Sequence, residues 1–335
     1  MSGKLVLVTG ITGFIAGHVA DQFLAAGYRV RGTTRGAKAK QLSDAIHVKG
    51  LEFVQVDDIA NDDLSEILTG VYAVIHVASP LPGRTSVEDT FNSAVSGTRN
   101  ILEATVKAGI EKMVITATFG SIMDPSLSPS FSGKTLSASD WGSVSREEAE
   151  KKADDSYYVY FASKLLAEKA IWEFADKHPP LDIATILPSF VFGPYAEHFP
   201  LPAGPTQLGT NGLIYRLVSG DILPQTPPYI VDVRDVGKAH LLALDVPRKP
   251  IGEKRYLVNG GVLIWRDAVT HLNKVRPTIK TAAPDAFQAD LGGPLAHIDV
   301  TRTNEDLNFG SWISPPDTIV AAADALVALQ KTWKA

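Results

Sequence analysis

The stretch YYVYFASK, residues 157–164, puts three tyrosines within four positions, with a lysine shortly after. On a helix, residues four apart share a face. Tyr160 and Lys164 have that spacing, whereas Tyr157 and Tyr158 are followed four residues on by Phe161 and Ala162. Of the nine tyrosines only Tyr160 has a lysine at that distance. A phenol titrates at about pKa 10 and is a poor acid–base at neutral pH unless perturbed. A nearby ammonium favours phenolate and draws that value down. The pair therefore suits proton transfer, and the flanking tyrosines read as packing or loop contacts. A second hydroxyl is wanted to hold a substrate oxygen while charge moves. Thr116, Thr118 and Ser121, in VITATFGS, are the candidates.

The N-terminus supplies a second constellation, VTGITGFIAGHVA. Gly10, Gly13 and Ala16 stand at three-residue intervals between an apolar strand and an amphipathic helix. Gly10 permits a tight turn, Gly13 lets backbone approach a pyrophosphate, and Ala16 allows close helix–sheet packing. Free N–H groups at the helix start then face the anion. Thr12, Phe14 and Ile15 belong to the same expected cofactor contact. The next strand decides which dinucleotide binds, because an acid at its end would take the ribose 2′-hydroxyl of NAD. From Arg29 to Lys40 there are Arg29, Arg31, Arg35, Lys38 and Lys40 and no acid. A guanidinium binds a 2′-phosphate bidentately, so the expectation is NADP(H), with Arg35 as main contact and Lys40 as helper.

These residues need a scaffold. Short apolar runs at Leu5–Val8, Tyr28–Gly32, Phe53–Val56, Ala73–Val77, Met113–Thr116 and Ile183–Leu187 read as buried strands. Helical patterns lie between them: Phe14–Ala26, stopped by Gly27; Ser86–Ala108; and Ala153–Lys177, ended by His178-Pro179-Pro180. This alternation implies an α/β fold, a Rossmann-type doubly wound parallel sheet with a smaller C-terminal substrate-binding part. Residues 1–191 form the expected dinucleotide-binding domain, with 228–247 returning to it as the strand Ile230–Val233 and the helix Asp235–Leu244. Residues 192–227 and 248–335 form the substrate-binding part. It ends in an amphipathic helix from Pro316 to Lys331, with Ile319, Ala322, Ala323, Leu326 and Leu329 on one face. Residues 121–145 carry nine serines, and 193–212 are rich in Pro and Gly. Both follow strands and read as loops over a site or as plain surface connections.

With 335 residues the chain is long enough to bury a sizeable core. A net charge of -5 gives no general pull toward nucleic acid or an anionic membrane. The absence of cysteine removes disulfides, thiol chemistry and thiolate metal sites. It also fits a reducing compartment, so a cytoplasmic protein without leader or membrane span is expected. The eight histidines show no metal-ligand spacing, and His76 in its apolar strand reads as a satisfied core residue.

VTGITGFIAG, HVASP, TATFGS, YFASK and LPSFVFGP occur in that order. With them the chain resembles the extended short-chain dehydrogenase/reductase family. The likeness is to its branch of dihydroflavonol reductases, cinnamoyl-CoA reductases and fungal aldehyde and ketone reductases. It is strongest over residues 4–195 and 229–244. The resemblance implies Tyr160 as the acid–base and Lys164 as its partner and ribose anchor. The third catalytic position is usually the second serine of Thr-Ser-Ser. Here the tripeptide is Thr116-Ala117-Thr118, so Thr118 holds the place, with Ser121 as fallback donor. Threonine keeps the hydroxyl but adds a methyl and stiffens χ1. Asp58 and Ile59 match adenine contacts, and Val77, Ala78, Ser79, Thr116, Pro188 and Val191 match residues lining the cofactor. Pro80, Phe119, Phe190, Phe192 and Tyr195 follow strand ends, as an apolar substrate wall or as core.

The resulting expectation is NADPH-dependent reduction of a small-molecule ketone or aldehyde, such as an aromatic or medium-chain carbonyl or β-keto ester. The rivals are a nucleotide-sugar epimerase or dehydratase of the same fold and a non-catalytic dinucleotide sensor. Sugar epimerases of the family carry asparagine where this chain has Ala94, and such sensors lack the Tyr–Lys pair.

Overall fold

Leu5, Val6, Leu7 and Val8 are all buried, and their alternation explains the architecture. Successive side chains of a strand point to opposite faces. Val6 and Val8 join one core with Ala16, Val19 and Phe23, while Leu5 and Leu7 join another with Ile101 and Ile171. A strand apolar on both faces belongs in a sheet covered on both sides. The computed structural model has that form and describes residues 3–79, 86–224, 226–288 and 291–333.

The strands are β1 (Leu5–Thr9), β2 (Arg29–Thr34), β3 (Leu51–Gln55), β4 (Val71–His76), β5 (Lys112–Thr116), β6 (Thr135–Leu136), β7 (Asp182–Pro188), β8 (Phe190–Phe192), β9 (Tyr229–Asp232), β10 (Arg255–Val258), β11 (Gly261–Val262) and β12 (His297–Ile298). Seven form one sheet in the order β10-β7-β5-β4-β1-β2-β3, every neighbouring pair parallel. The chain runs outward from β1 to β3 and then resumes at β4, on the other side of β1. That reversal opens a crevice at the carboxyl ends of β1 and β4, where such sheets bind ligands. The fold is a Rossmann-type doubly wound parallel sheet.

The helices are α1 (Phe14–Ala25), α2 (Lys38–Ala45), α3 (Val87–Lys107), α4 (Arg146–Glu150), α5 (Ser156–Lys177), α6 (Asn211–Val218), α7 (Val233–Asp245), α8 (Trp265–Val275), α9 (Thr301–Asp306) and α10 (Pro315–Trp333). α1 and α7 pack together over one face of the sheet, α3 and α5 over the other. Gly237 lets α7 approach α1: a Cβ there would lie 3.0 Å from the His18 carbonyl oxygen. Side-chain caps set two helix starts. Ser86 accepts from the Asp89 N–H, and Asp155 from the Tyr158 N–H, which starts α5 three residues later than the pattern suggests.

Two expectations need correction. Tyr229–Asp232 does not return to the main sheet; it lies between β8 and β11 in a separate three-stranded sheet. All four of its residues are buried, so its composition matches that of an inner strand of either sheet. The outermost strand of the main sheet is instead β10, within the stretch assigned to the substrate-binding part. Lys254 and Arg255 hold it there through buried ion pairs with Asp182 and Glu168, both at 3.0 Å. The smaller C-terminal core forms where α10 buries Ile319, Ala322, Ala323, Leu326 and Leu329 beside α6 and α8. Among the described residues, no helix is long and apolar enough to cross a membrane.

Candidate active site

The glycine loop leaves β1 at the crevice. Gly10 has φ +68°, a left-handed conformation that glycine adopts without strain. A Cβ at Gly10 would also lie 3.1 Å from Ala78 Cα, so the loop and the end of β4 meet across the switch point. The Gly10 N–H donates to Thr33 Oγ1 at 3.0 Å, and the Gly13 N–H donates to the Gly10 carbonyl at 2.8 Å. Gly13 caps α1 without a side chain, and the first turn of α1 holds no acid. The start of α1 thus presents backbone N–H groups and partial positive charge with no resident anion. Thr12, Phe14 and Ile15 are partly exposed around it, and Ala16 is fully buried against the sheet.

Burial of ionic partners sorts the basic run of β2. Arg31 donates to Glu52 at 2.6 Å and to the carbonyls of Ile67 and Thr69. Arg29 also faces Glu52, at 3.8 Å, and Lys40 is paired with Asp44 on α2. Arg35 follows the last residue of β2, is exposed, and forms no ion pair among the described residues. Its charge helps hold Asp58 below the usual carboxylate range, behind the hydrogen bonds from Asn61 and the Ala60 N–H. Asp58 and Ile59 follow β3 on the same carboxyl edge, where the Ile59 carbonyl accepts from Asn100. Lys40 shares an exposed pair with its helix neighbour, while Arg35 and Lys38 form no ion pair among the described residues, and of these two Arg35 stands directly at the strand end.

Tyr160 and Lys164 share one face of α5. Lys164 Nζ donates to the Thr116 carbonyl at the end of β5, at 2.9 Å. The Thr116 hydroxyl points elsewhere, to His240 Nε2 at 2.7 Å. Thr118 is buried, and its Oγ1 accepts from the Gly120 N–H at 3.2 Å, which leaves the hydroxyl proton to donate. Ser121 Oγ is buried and has no hydrogen-bond partner among the described residues. Burial pulls the Lys164 ammonium down to about 8, against the Glu168 carboxylate, which raises it. Burial pushes the Tyr160 phenol up to about 12. The expected downward pull of the lysine does not set the direction here. The ammonium is bonded to a carbonyl, and loss of hydration dominates at the tyrosine.

Val77, Ala78 and Ser79 extend β4 into the crevice, while Pro188 ends β7 and Val191 lies in β8, both buried. The expected substrate residues divide. Phe119 is buried among Phe161, Phe190 and Tyr229, so it is part of the core. Phe190 is half-exposed and, with Phe192, lines a narrow apolar crevice closed by Ile230 and Trp265. The Tyr195 ring packs on Phe14 at 5.3 Å, beside the glycine loop. Pro80 lies outside the described residues.

A family model described as “NAD dependent epimerase/dehydratase family” matches residues 6–258. The chain belongs to this family. Aldehyde reductase 2 of Sporidiobolus salmonicolor is 31% identical over 321 residues, covering 91% of this chain and 90% of its own. Ketoreductase adrE of Penicillium roqueforti is 31% identical over 305 residues, 87% and 86% of the two chains. The structure of Gre2 from Candida albicans in complex with NADPH matches with a TM-score of 0.83 at 29% identity, covering 97% and 99%.

In this epimerase/dehydratase family chain, sequence reasoning passed over several residues that build the crevice. Thr9 ends β1, and its Oγ1 accepts from the N–H groups of Val77 and Ala78 and bonds His76 Nδ1 at 2.9 Å. His240 does the same for Thr116 from α7. Glu168 stands four residues beyond Lys164, a spacing that is visible in YFASKLLAE.

Proposed function

We propose that the protein is an NADPH-dependent carbonyl reductase that converts a ketone or aldehyde to an alcohol. The observation that carries this is the Tyr160–Lys164 face of α5, with Lys164 bonded to the end of β5 beside Thr118. The residues fit a phosphorylated dinucleotide. Gly10 and Gly13 leave the start of α1 open to a pyrophosphate, and Arg35, which forms no ion pair among the described residues, suits a 2′-phosphate. Reductases similar over most of the chain, one of them bound to NADPH, support the same reading. NADPH, when bound, supplies the hydride.

The chain's own groups hold and protonate the oxygen. Thr118 and Tyr160 donate hydrogen bonds to the carbonyl oxygen, which polarises the carbon and fixes its position. A phenol held up at about 12 stays protonated at neutral pH, the state a proton donor needs. An alkoxide is a far stronger base than a phenolate, so transfer from Tyr160 to the developing alkoxide is downhill. Lys164 then lies within one helical turn of the phenolate and stabilises it.

Tyr160→Phe should lower turnover of carbonyl substrates by about 10²–10⁴ while NADPH binds as before. Turnover and NADPH affinity are measured separately, by NADPH consumption and by fluorescence titration. Near-normal turnover in that variant would end the proposal. Nucleotide sugars are the control substrates, since their interconversion without net NADPH consumption would favour an epimerase.

A further inference from the structure

Steps of four along α5 from Tyr160 lead to Lys164, Glu168 and Trp172, each a neighbour of the one before on the helix surface. Glu168 and Arg255 are each only 1% exposed. Glu168 Oε1 accepts from Arg255 Nε at 3.0 Å, from Thr185 Oγ1 at 2.9 Å and from Trp172 Nε1 at 3.5 Å. Arg255 Nη1 donates to the carbonyls of Ala138 and Asp140, at 2.5 and 2.9 Å. Its guanidinium lies 3.5 Å over the Trp141 ring. The pair thus ties α5, β7 and β10 to the loop that follows β6. A buried ion pair is weak evidence for stability, because desolvation offsets the attraction. Neither residue has a part in the proposed proton transfer.

The surroundings of Lys164 suggest what the pair does. On α5, Lys164 faces Tyr160 and Glu168. From β5 it meets the Thr116 carbonyl. From β4 it faces His76, a buried imidazole that burial keeps neutral, and behind Thr116 stands His240, likewise neutral. The 3-10 turn Phe119–Ile122, packed against α5, carries no charge. On the packed helices α3 and α4, Arg99 pairs with Glu103 and Arg146 with Glu150 at the surface. Among the described residues, Glu168 is the carboxylate set under the lysine, and Arg255 is the cation behind it.

We infer that Glu168 and Arg255 are a positioning pair that sets the electrostatic field at Lys164 for the reaction. The inference rests on the reductase reading. Glu168 favours the charged lysine, and Arg255 fixes the carboxylate and moderates its pull. Removing the carboxylate alone leaves the lysine facing an uncompensated guanidinium, so its proton leaves at lower pH.

The test is the pH dependence of NADPH affinity in wild type, Glu168→Gln and the double variant Glu168→Gln/Arg255→Gln. Affinity should fall on the alkaline side as Lys164 loses its proton. In Glu168→Gln that limb should move to lower pH by about one unit. In the double variant it should lie between the two, because the stranded cation is gone. A purely structural pair would lower the melting temperature and leave the limb where it is, and that result would overturn the inference. If Glu168→Gln does not fold, the double variant decides, since two neutral partners leave no buried charge unpaired. Its limb must still lie below that of wild type. Wild type that binds NADPH but reduces no carbonyl would end the reductase reading. A fixed limb in variants, with reduction intact in wild type, would end the inference alone.

Discussion

In the proposed function, cofactor choice turns on Arg35. Its neighbours Arg29 and Arg31 are held by Glu52, and Lys40 is held by Asp44. Arg35 feels the Asp58 carboxylate but forms no ion pair with it among the described residues, so its hydrogen-bonding fork is left for a ligand, and a charge-assisted bond of this type contributes about 1.5–3 kcal/mol. Arg35→Ala should therefore raise KM for NADPH by about 10- to 100-fold and leave KM for NADH almost unchanged. Steady-state kinetics with both cofactors checks this, and equal NADPH constants in wild type and variant would remove Arg35 from the site. The role proposed for it can be drawn from the sequence because what it rests on is local: a strand end with arginine and no acid. The commitment of Arg31 cannot, since Glu52 comes from the neighbouring strand β3 and the carbonyls of Ile67 and Thr69 from a later turn.

The phosphate loop and β2 act as one element. Ile11 and Gly10 hydrogen-bond to Thr33, and Gly32 gives Ile11 room. A Cβ at Gly32 would lie 2.6 Å from Ile11 Cγ1, and Ile11 is fully buried. Overpacking of this kind costs about 1–3 kcal/mol. Gly32→Ala should lower the melting temperature and weaken NADPH binding, while kcat at saturating cofactor stays close to wild type. Unchanged affinity would show that the loop does not depend on β2. Elements with a strong local signal were legible: β1 from its apolar run, α3 and α5 from their helical patterns and, for α5, its His178-Pro179-Pro180 stop, and α10 from the face that packs on α6 and α8. β10 was not, because it starts with an arginine whose burial depends on Glu168, 87 positions away. β9 was read as an inner strand correctly in burial and wrongly in partner, since pairing leaves no mark in composition. The same contrast holds in the site. Tyr160 and Lys164 sit one turn apart, whereas Thr9–His76 and Thr116–His240 span 67 and 124 positions.

Across the whole molecule, those two threonine–histidine contacts predict how stability depends on pH. Thr9 Oγ1 accepts from two backbone N–H groups, so its proton goes to His76 Nδ1. His240 Nδ1 donates to the Val236 carbonyl, so its Nε2 accepts from Thr116. Both imidazoles are acceptors and must be neutral. Burial lowers His76 to about 3 and His240 to about 4 from an ordinary 6.5. A depressed folded value contributes stability that is present above the unfolded value and is lost as pH falls toward the folded one. The window therefore runs from 6.5 down to about 4. Within it each histidine contributes a slope of about 1.4 kcal/mol per pH unit, about 2.8 for the pair. His18 is lowered in the same sense, while Asp21 and Asp235 are raised and act in the opposite sense as carboxylates begin to titrate. Urea midpoints should change little near pH 7, before the buried lysines titrate, and fall steeply below 6.5. His240→Asn should be less stable at pH 7 yet lose stability with a slope shallower by about one proton. A variant slope equal to that of wild type would mean that His240 takes up its proton without unfolding, and the acceptor role at Thr116 would fall with it.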